Sequence, residues 1–277
     1  MDYVAAIVLG AIQGVTAWVP VSSKTQVLLA GNAFFNLTFS QAIAFALVLH
    51  AGDLVAAAAK YRREYVDAAK QFLRPKQLTD FNAFETDDVI TARFLVISLA
   101  CTAILALPLY LAVKTAFTAI SGEPLLALVG ALLLGMAGIL YFTRQKPANP
   151  VTLKTAILAG LCQALAVIPG ISRSGITQSA LLLQGVPADK AVRLSFVMSL
   201  PMIAAAIAAF YVVEGGFPGV TLEAAAIGIA VSAIVSWFTM DFLTALARRV
   251  KPWWFVAGIG VLAMVPLALK LVLNVSG

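Results

Sequence analysis

The chain alternates between long apolar segments and short polar ones, a pattern typical of helices that cross a membrane. Six uninterrupted apolar segments each have about the 20 residues that an α-helix needs to cross the hydrocarbon core of a bilayer. They lie at residues 40–59, 94–113, 125–143, 193–213, 222–245 and 253–273. The pattern therefore predicts six transmembrane helices.

Two further apolar segments are interrupted near their middle. The first, residues 3–34, breaks at Pro20, and the second, residues 153–186, breaks at Pro169. In each, small hydroxyl residues and one basic residue follow the proline. A helix breaker and a charge at membrane depth are tolerated only where the backbone is buried in protein or faces a wet cavity. We interpret both segments as re-entrant helical hairpins, with a kinked full span as the alternative.

The two interrupted segments resemble each other, which indicates an internal repeat of about 150 residues. Gln13 corresponds to Gln163, Pro20 to Pro169, and the run 23–25 to the run 172–174. We divide a single membrane domain, residues 1–277, into repeat 1 (1–146) and repeat 2 (147–277). Three spans per repeat is an odd number, so the second repeat is inverted relative to the first. The predicted fold is an all-α polytopic membrane protein with two re-entrant hairpins and six transmembrane helices.

Composition and charge agree with this topology. The chain is 61% hydrophobic and only 12% charged, whereas a soluble domain carries about 25% charged residues, so an ordinary soluble enzyme is excluded. The net charge of +6 reflects basic loops rather than a nucleic-acid partner. Of the 19 Lys and Arg residues, 15 lie in loops 60–93, 144–154, 187–193 and 246–252, which the inverted topology places on one side. We expect a multi-pass plasma-membrane protein with these loops cytoplasmic and both termini outside.

Arg173 is the leading candidate for function, because an arginine inside a broken apolar segment is costly and its planar fork suits phosphate oxygens. Its neighbours supply hydroxyls and exposed backbone N–H groups: Ser172, Ser174, Gly175 and Thr177. A helix that resumes here directs its N-terminal dipole at the same point. The alternative is a structural arginine bonded to backbone carbonyls at the break.

Lys24 repeats this arrangement in the first hairpin, where the nearby hydroxyl residues are Ser22, Ser23 and Thr25. If the hairpin tips meet at the midplane, as in inverted-repeat transporters, Lys24 and Arg173 converge on one cavity. Such a cavity would bind phosphate or diphosphate. Pairing of Lys24 with Asp53 is the alternative. His50 lies three residues before Asp53 on the same predicted helix, and we favour a structural role for it.

Two motifs resemble the undecaprenyl-pyrophosphate phosphatase family, known for bacitracin resistance. Residues 169–177 match its PGxSRSxxT motif, and residues 13–23 resemble its other motif. The resemblance runs along the whole chain. It implies a membrane enzyme that removes the terminal phosphate of a C55 polyprenyl diphosphate, an inverted-repeat fold with two re-entrant hairpins, and a divalent cation, Mg²⁺ or Ca²⁺.

The first motif departs from the family pattern. The resemblance places glutamates where this chain has Gln13 and Ala17, a histidine where it has Gln26, and a small polar residue where it has Lys24. The remaining groups suggest catalytic roles for Ser23, Arg173 and Thr177, and phosphate-binding roles for Lys24, Ser22, Thr25, Ser172, Ser174 and Gly175. Asp53 or His50 is left as the base that accepts a proton. Asp53 alone is a poor metal site, so we assign no metal ligands.

Two functions follow, and the motif match favours the first. One is a polyprenyl-diphosphate phosphatase that recycles a lipid carrier. The other is a non-hydrolytic flippase for a polyprenyl phosphate, which the missing acid and base groups suit. A carrier for a small anion is a weaker third interpretation. The expected partners are the polyprenyl diphosphate or phosphate and membrane lipids, with no nucleic acid and with a homodimer left open.

Overall fold

The computed structural model describes residues 2–18, 22–72, 85–86, 89–90, 92–118, 123–142, 149–168 and 171–246, together with 257 and 261. Almost all of these residues are helical. Turns join the helices, and one short β-hairpin is described, in which β1 (Glu85–Thr86) pairs antiparallel with β2 (Val89–Ile90). This small hairpin lies in a segment that the hydrophobic pattern assigned to a loop.

Ten helices are described. They are α1 (Tyr3–Thr16), α2 (Ser23–Phe35), α3 (Phe39–Lys60), α4 (Arg62–Phe72), α5 (Ala92–Thr118), α6 (Glu123–Phe142), α7 (Leu153–Ala164), α8 (Arg173–Leu183), α9 (Ala188–Glu214) and α10 (Leu222–Leu246). A 3₁₀ turn, Leu165–Val167, continues α7.

Four described helices are long and apolar enough to cross a membrane, namely Phe39–Lys60, Ala92–Val113, Asp189–Glu214 and Leu222–Phe242. They confirm the predicted spans at 40–59, 94–113, 193–213 and 222–245. Helix α6, with 20 residues, coincides with the predicted span at 125–143. The predicted span at 253–273 lies outside the described residues. The fold is that of a polytopic helical membrane protein.

Each interrupted apolar segment contains two short helices instead of one long helix. The first segment holds α1 with 14 residues and α2 with 13, and the second holds α7 with 12 and α8 with 11. At about 1.5 Å per residue, each helix is shorter than the roughly 30 Å core of a bilayer. The two helices of each segment pack against each other. Pro20 and Pro169, where the sequence breaks, lie outside the described residues.

The packing crosses between the two halves of the chain. Helix α1 packs along α10, and α7 packs along α5, so each hairpin lies against a helix of the other half. Small residues allow this close approach. A Cβ atom at Gly14 would lie 2.8 Å from the carbonyl oxygen of Ser232, and one at Gly160 would clash with the carbonyl oxygen of Ser98. The crossed packing fixes the hairpins relative to the long helices.

Helix α4 is attached to the ends of the long helices by polar contacts. Glu64 on α4 forms an ion pair with Arg193 at the start of α9, with an N–O distance of 2.9 Å. Lys60, at the end of α3, forms an ion pair with Asp241 near the end of α10, with 2.5 Å between Nζ and Oδ1. These contacts place the end of α3, α4, the start of α9 and the end of α10 on one side of the molecule.

Candidate functional site

Gln13 is the centre of a buried polar cluster that joins α1, α2 and α3. Its side-chain nitrogen donates to Asp53 Oδ2 at 2.6 Å and to Ser23 Oγ at 3.2 Å, and lies 3.1 Å from His50 Nδ1. The residue is fully buried. Its side-chain oxygen has no hydrogen-bond partner among the described residues. Gln13 therefore organises the polar groups of the first hairpin.

Asp53 is fully buried and accepts three hydrogen bonds. Besides Gln13, Ser232 donates to its Oδ1 at 2.9 Å and Ser236 at 2.6 Å, both from α10. Hydrogen bonds to a charged acceptor are stronger than neutral ones, so these three donors stabilise the carboxylate in the protein interior. Asp53 thus connects α3 to α1 and α10. The alternative pairing of Lys24 with Asp53 is not seen, because Lys24 donates to the carbonyl oxygen of Ala166.

His50 is held by its own helix. Its Nδ1 lies 2.6 Å from the carbonyl oxygen of Ala46, one turn earlier. Because a carbonyl only accepts, this contact assigns the ring proton to Nδ1. The side-chain amide of Gln13 contacts Ser23 and also both candidate bases, His50 and Asp53, and so separates Ser23 from them. An amide N–H cannot accept a proton, so the described hydrogen bonds give Ser23 no direct route to either candidate base.

Arg173 begins α8 in the second hairpin. One of its five N–H groups, on Nη1, donates to the carbonyl oxygen of Ser195 at 3.1 Å. Its Cζ lies 5.9 Å from the centre of the Trp18 ring, within the range of a cation–π contact. The arginine does bond a carbonyl, as the structural alternative expects. That bond leaves most of the guanidinium available for an anion.

The hydroxyl residues around Arg173 stabilise the first turn of α8. Ser172 caps the helix by accepting from the N–H of Gly175 at 3.3 Å, and its Oγ lies 3.2 Å from Ser174 Oγ. Thr177 donates to the carbonyl oxygen of Arg173 at 2.7 Å. Ser172, Ser174 and Thr177 are buried. These bonds stabilise the turn, which presents Arg173 at the positive end of a helix dipole.

The first turn of α2 has a different geometry. Ser22 adopts a left-handed conformation with φ of 57°, which is uncommon for a residue other than glycine. Its hydroxyl makes no capping bond to the helix backbone and instead lies 3.0 Å from Thr25 Oγ1. Strained conformations of this kind concentrate at functional sites. The N-terminus of α2 thus lacks the side-chain cap that Ser172 gives α8.

The structure brings the two hairpins together at Lys24. Its Nζ donates to the carbonyl oxygen of Ala166, in the 3₁₀ turn of the second hairpin, at 2.9 Å. Ala166 lies seven residues before Arg173 in the same hairpin. Trp18 of the first hairpin lies against Arg173 of the second. The first hairpin therefore brings its basic residue, Lys24, against the hairpin that carries Arg173, an arrangement suited to binding an anion.

The three positions that depart from the family pattern have different surroundings. Gln13 lies at the centre of the polar cluster, as described above. Ala17 is buried in an apolar cluster with Trp18, Phe196 and Met240. Gln26 is half-buried on α2.

Sequence reasoning missed three residues that support the site: Ser195, Ser232 and Ser236. The pair on α10 carries a detectable signal, because two serines four residues apart put two hydroxyls on one face of an apolar helix. Ser195 contributes through its backbone carbonyl, which no sequence pattern marks.

The donor set does not fit the divalent cation that the family resemblance implies. Among the residues that the structure describes, no three His, Cys, Asp or Glu side chains come together. Mg²⁺ and Ca²⁺ prefer several oxygen ligands, and Asp53 already accepts from three donors. No chemical step is therefore assigned to a metal here.

The fold and the site together define an integral membrane protein with a buried, cationic, hydroxyl-rich region between two helical hairpins. Comparison with known proteins identifies the family. The model of the family "Bacitracin resistance protein BacA" matches residues 6–265, so the chain belongs to this family.

Three relatives illustrate the similarity, and each is named an undecaprenyl-diphosphatase. The protein from Haloarcula marismortui is 39% identical over 95% of this chain and 98% of its own length. The protein from Saccharolobus islandicus is 35% identical over 91% of both chains. The protein from Methanococcoides burtonii is 36% identical over 95% of this chain and 98% of its own length.

Proposed function

We propose that this chain is a polyprenyl-diphosphate phosphatase that converts undecaprenyl diphosphate to the monophosphate and inorganic phosphate. The observation that carries the proposal is the contact between the two hairpins, in which Lys24 bonds the second hairpin at Ala166 and Trp18 of the first lies against Arg173. The names of the relatives support the same reaction. The lipid tail of such a substrate stays in the bilayer while its diphosphate enters the site.

Diphosphate binding uses the charge of both cations. The fork of Arg173 bonds two oxygens of one phosphate, and the ammonium of Lys24 acts as a point charge for the other. Without substrate, each cation donates to a backbone carbonyl, at Ser195 and Ala166 respectively. The ligand therefore gives Lys24 a charged acceptor in place of a neutral one, which forms a stronger hydrogen bond, while Arg173 keeps its bond to Ser195 and binds the ligand with its remaining N–H groups.

In the proposed hydrolysis, the oxygen of Ser23 attacks the terminal phosphorus and the bond to the bridging oxygen breaks. The lipid monophosphate leaves, and water then releases phosphate from the serine. Arg173 stabilises the charge on the transferring group, and Thr177 keeps the turn that carries Arg173 in place. The proton of Ser23 must reach Asp53 or His50 through an intervening water or a substrate oxygen, because Gln13 separates them. This route predicts slow turnover.

We also propose the finer topology that the sequence predicts. The hairpins are re-entrant, and residues 1–277 form one domain of two inverted repeats, 1–146 and 147–277, with the site near the midplane. The short hairpin helices and the crossed packing of α1 on α10 and α7 on α5 support this arrangement. Lys60, Arg193 and α4 lie on the same side of the molecule. Because basic loops favour the cytoplasmic side of a membrane, this supports cytoplasmic loops and termini on the outside.

A non-hydrolytic flippase for a polyprenyl phosphate is the second candidate. One observation favours it: the hydroxyl of Ser23 receives a hydrogen bond from Gln13 and makes none to a base among the described residues. A site that binds phosphate without activating a nucleophile would carry the lipid across the membrane unchanged.

The test is release of inorganic phosphate from undecaprenyl diphosphate by the purified protein in detergent, with EDTA and with added Mg²⁺ or Ca²⁺. We expect slow release that is at least about 100-fold above an Arg173→Ala control, because one donor to the developing charge contributes on this scale. Liposomes containing labelled polyprenyl phosphate test the second candidate in parallel. Transport of that lipid without any phosphate release would overturn the phosphatase.

A further inference from the structure

A proline interrupts the hydrogen bonding of α9 close to the candidate site. Pro201 lies inside this helix and has no backbone N–H. In a regular helix, the carbonyl of residue 197 accepts from the N–H of residue 201. The Val197 carbonyl therefore lacks its usual partner, and a buried carbonyl without one costs free energy.

Tyr65 on α4 supplies the missing donor. Its hydroxyl donates to the carbonyl oxygen of Val197 at 3.0 Å. The two preceding carbonyls also receive side-chain donors: Ser199 Oγ donates to Phe196 at 2.5 Å and Arg173 to Ser195 at 3.1 Å. Three consecutive carbonyls of α9, at 195, 196 and 197, are thus bonded by side chains from three helices.

The same segment of α9 holds Arg173 in two ways. The Ser195 carbonyl accepts directly from its guanidinium. The ring of Phe196 packs edge-on against Trp18, with 4.9 Å between ring centres, and Trp18 lies under the guanidinium. A change in the direction of these carbonyls therefore changes the position of Arg173.

We propose that Tyr65 is a positioning residue for the phosphate-binding arginine, acting through the proline-interrupted segment 195–201 of α9. The inference rests on the proposed function for its ligand, a diphosphate. By bonding the Val197 carbonyl, Tyr65 fixes the segment that carries the Ser195 carbonyl two residues earlier, and hence the guanidinium of Arg173. A residue on the peripheral helix α4 thereby sets the geometry of the interior site.

Tyr65→Phe removes the hydroxyl and keeps the ring, and Tyr110→Phe is the matched control. Tyr110 is also half-buried, and its hydroxyl donates to Glu214, at the opposite end of α9, at 2.8 Å. Each variant loses one hydrogen bond to the same helix. We expect similar small decreases in melting temperature, but only Tyr65→Phe should weaken inorganic diphosphate binding, by about five-fold, the equivalent of one hydrogen bond. Equal binding by the two variants would overturn the proposal.

Tryptophan fluorescence, measured without ligand, tests the role of Tyr65 independently of the proposed function. Trp237, Trp253 and Trp254 are replaced by phenylalanine, so that emission reports Trp18 beneath Arg173. Arg173→Ala should shift this emission, Tyr65→Phe should shift it in the same direction, and Tyr110→Phe should leave it unchanged. If the parent protein fails to bind diphosphate, the proposed ligand is wrong, while the emission still decides the role of Tyr65. An unchanged emission in Tyr65→Phe would refute the proposal that Tyr65 positions Arg173.

Discussion

The Arg173→Ala variant is expected to lose phosphate release from undecaprenyl diphosphate by at least about 100-fold. Removing one preorganised donor to a developing charge costs on this scale, and alanine removes both the charge and the fork. Arg173 uses one N–H on the Ser195 carbonyl, so its remaining N–H groups carry the interaction with the substrate. The measurement is the rate of phosphate release at saturating lipid.

Two comparisons show whether this loss arises in the site. Arg173→Lys keeps the charge and loses the bidentate geometry, so it should retain intermediate activity. Arg193→Ala removes a basic residue at the start of α9 that pairs with Glu64 on α4, outside the proposed site. It should release phosphate at nearly the parent rate. Equal loss in Arg173→Ala and Arg193→Ala would point to general damage to the fold rather than to a phosphate contact.

The second large effect is a gain, expected for Ala17→Glu. Position 17 lies one helical turn after Gln13 and beside Trp18, which contacts Arg173. The family resemblance implies a glutamate at this position. A carboxylate here would supply the proton acceptor that Ser23 lacks, and general base catalysis contributes about 100-fold or more. We expect phosphate release to rise on that scale.

Ala17→Gln is the matched control, because it has nearly the same shape without a base. The charge of Arg173 offsets part of the cost of placing a carboxylate among apolar side chains. If Ala17→Gln and Ala17→Glu release phosphate at the same rate, the gain comes from packing and the assignment of a missing base is wrong. If neither variant exceeds the parent protein, the base lies elsewhere in the chain.

Much of the fold could be predicted from the sequence because membrane helices leave a strong local signal. The length and hydropathy of the segments at 40–59, 94–113, 193–213 and 222–245 were sufficient to locate four helices that the structure confirms. The pairing of Glu85–Thr86 with Val89–Ile90 was not predicted, because two-residue strands carry no periodic pattern.

The candidate site could also be predicted only in part from the sequence. Lys24 and Arg173 stand out locally, since a charge in an apolar segment is conspicuous. Their acceptors do not, because the carbonyls of Ala166 and Ser195 have no side-chain identity. The bonds from Ser232 and Ser236 to Asp53 join residues about 180 positions apart, and they exist only because α1, α3 and α10 pack together. A sequence pattern shows which residues share a helix face and where a helix is interrupted. Contacts between residues far apart in the chain can be found only in the folded structure.

The central claim, that the two hairpins form one diphosphate site, is tested most directly by a double-mutant cycle between Lys24 and Arg173. Calorimetry would measure inorganic diphosphate binding to the parent protein, to Lys24→Met, to Arg173→Met and to the double variant. If both cations hold one ligand, the single losses should be non-additive, with a coupling free energy of at least about 1 kcal/mol. Strictly additive losses, or an unchanged affinity in Lys24→Met, would contradict a shared site.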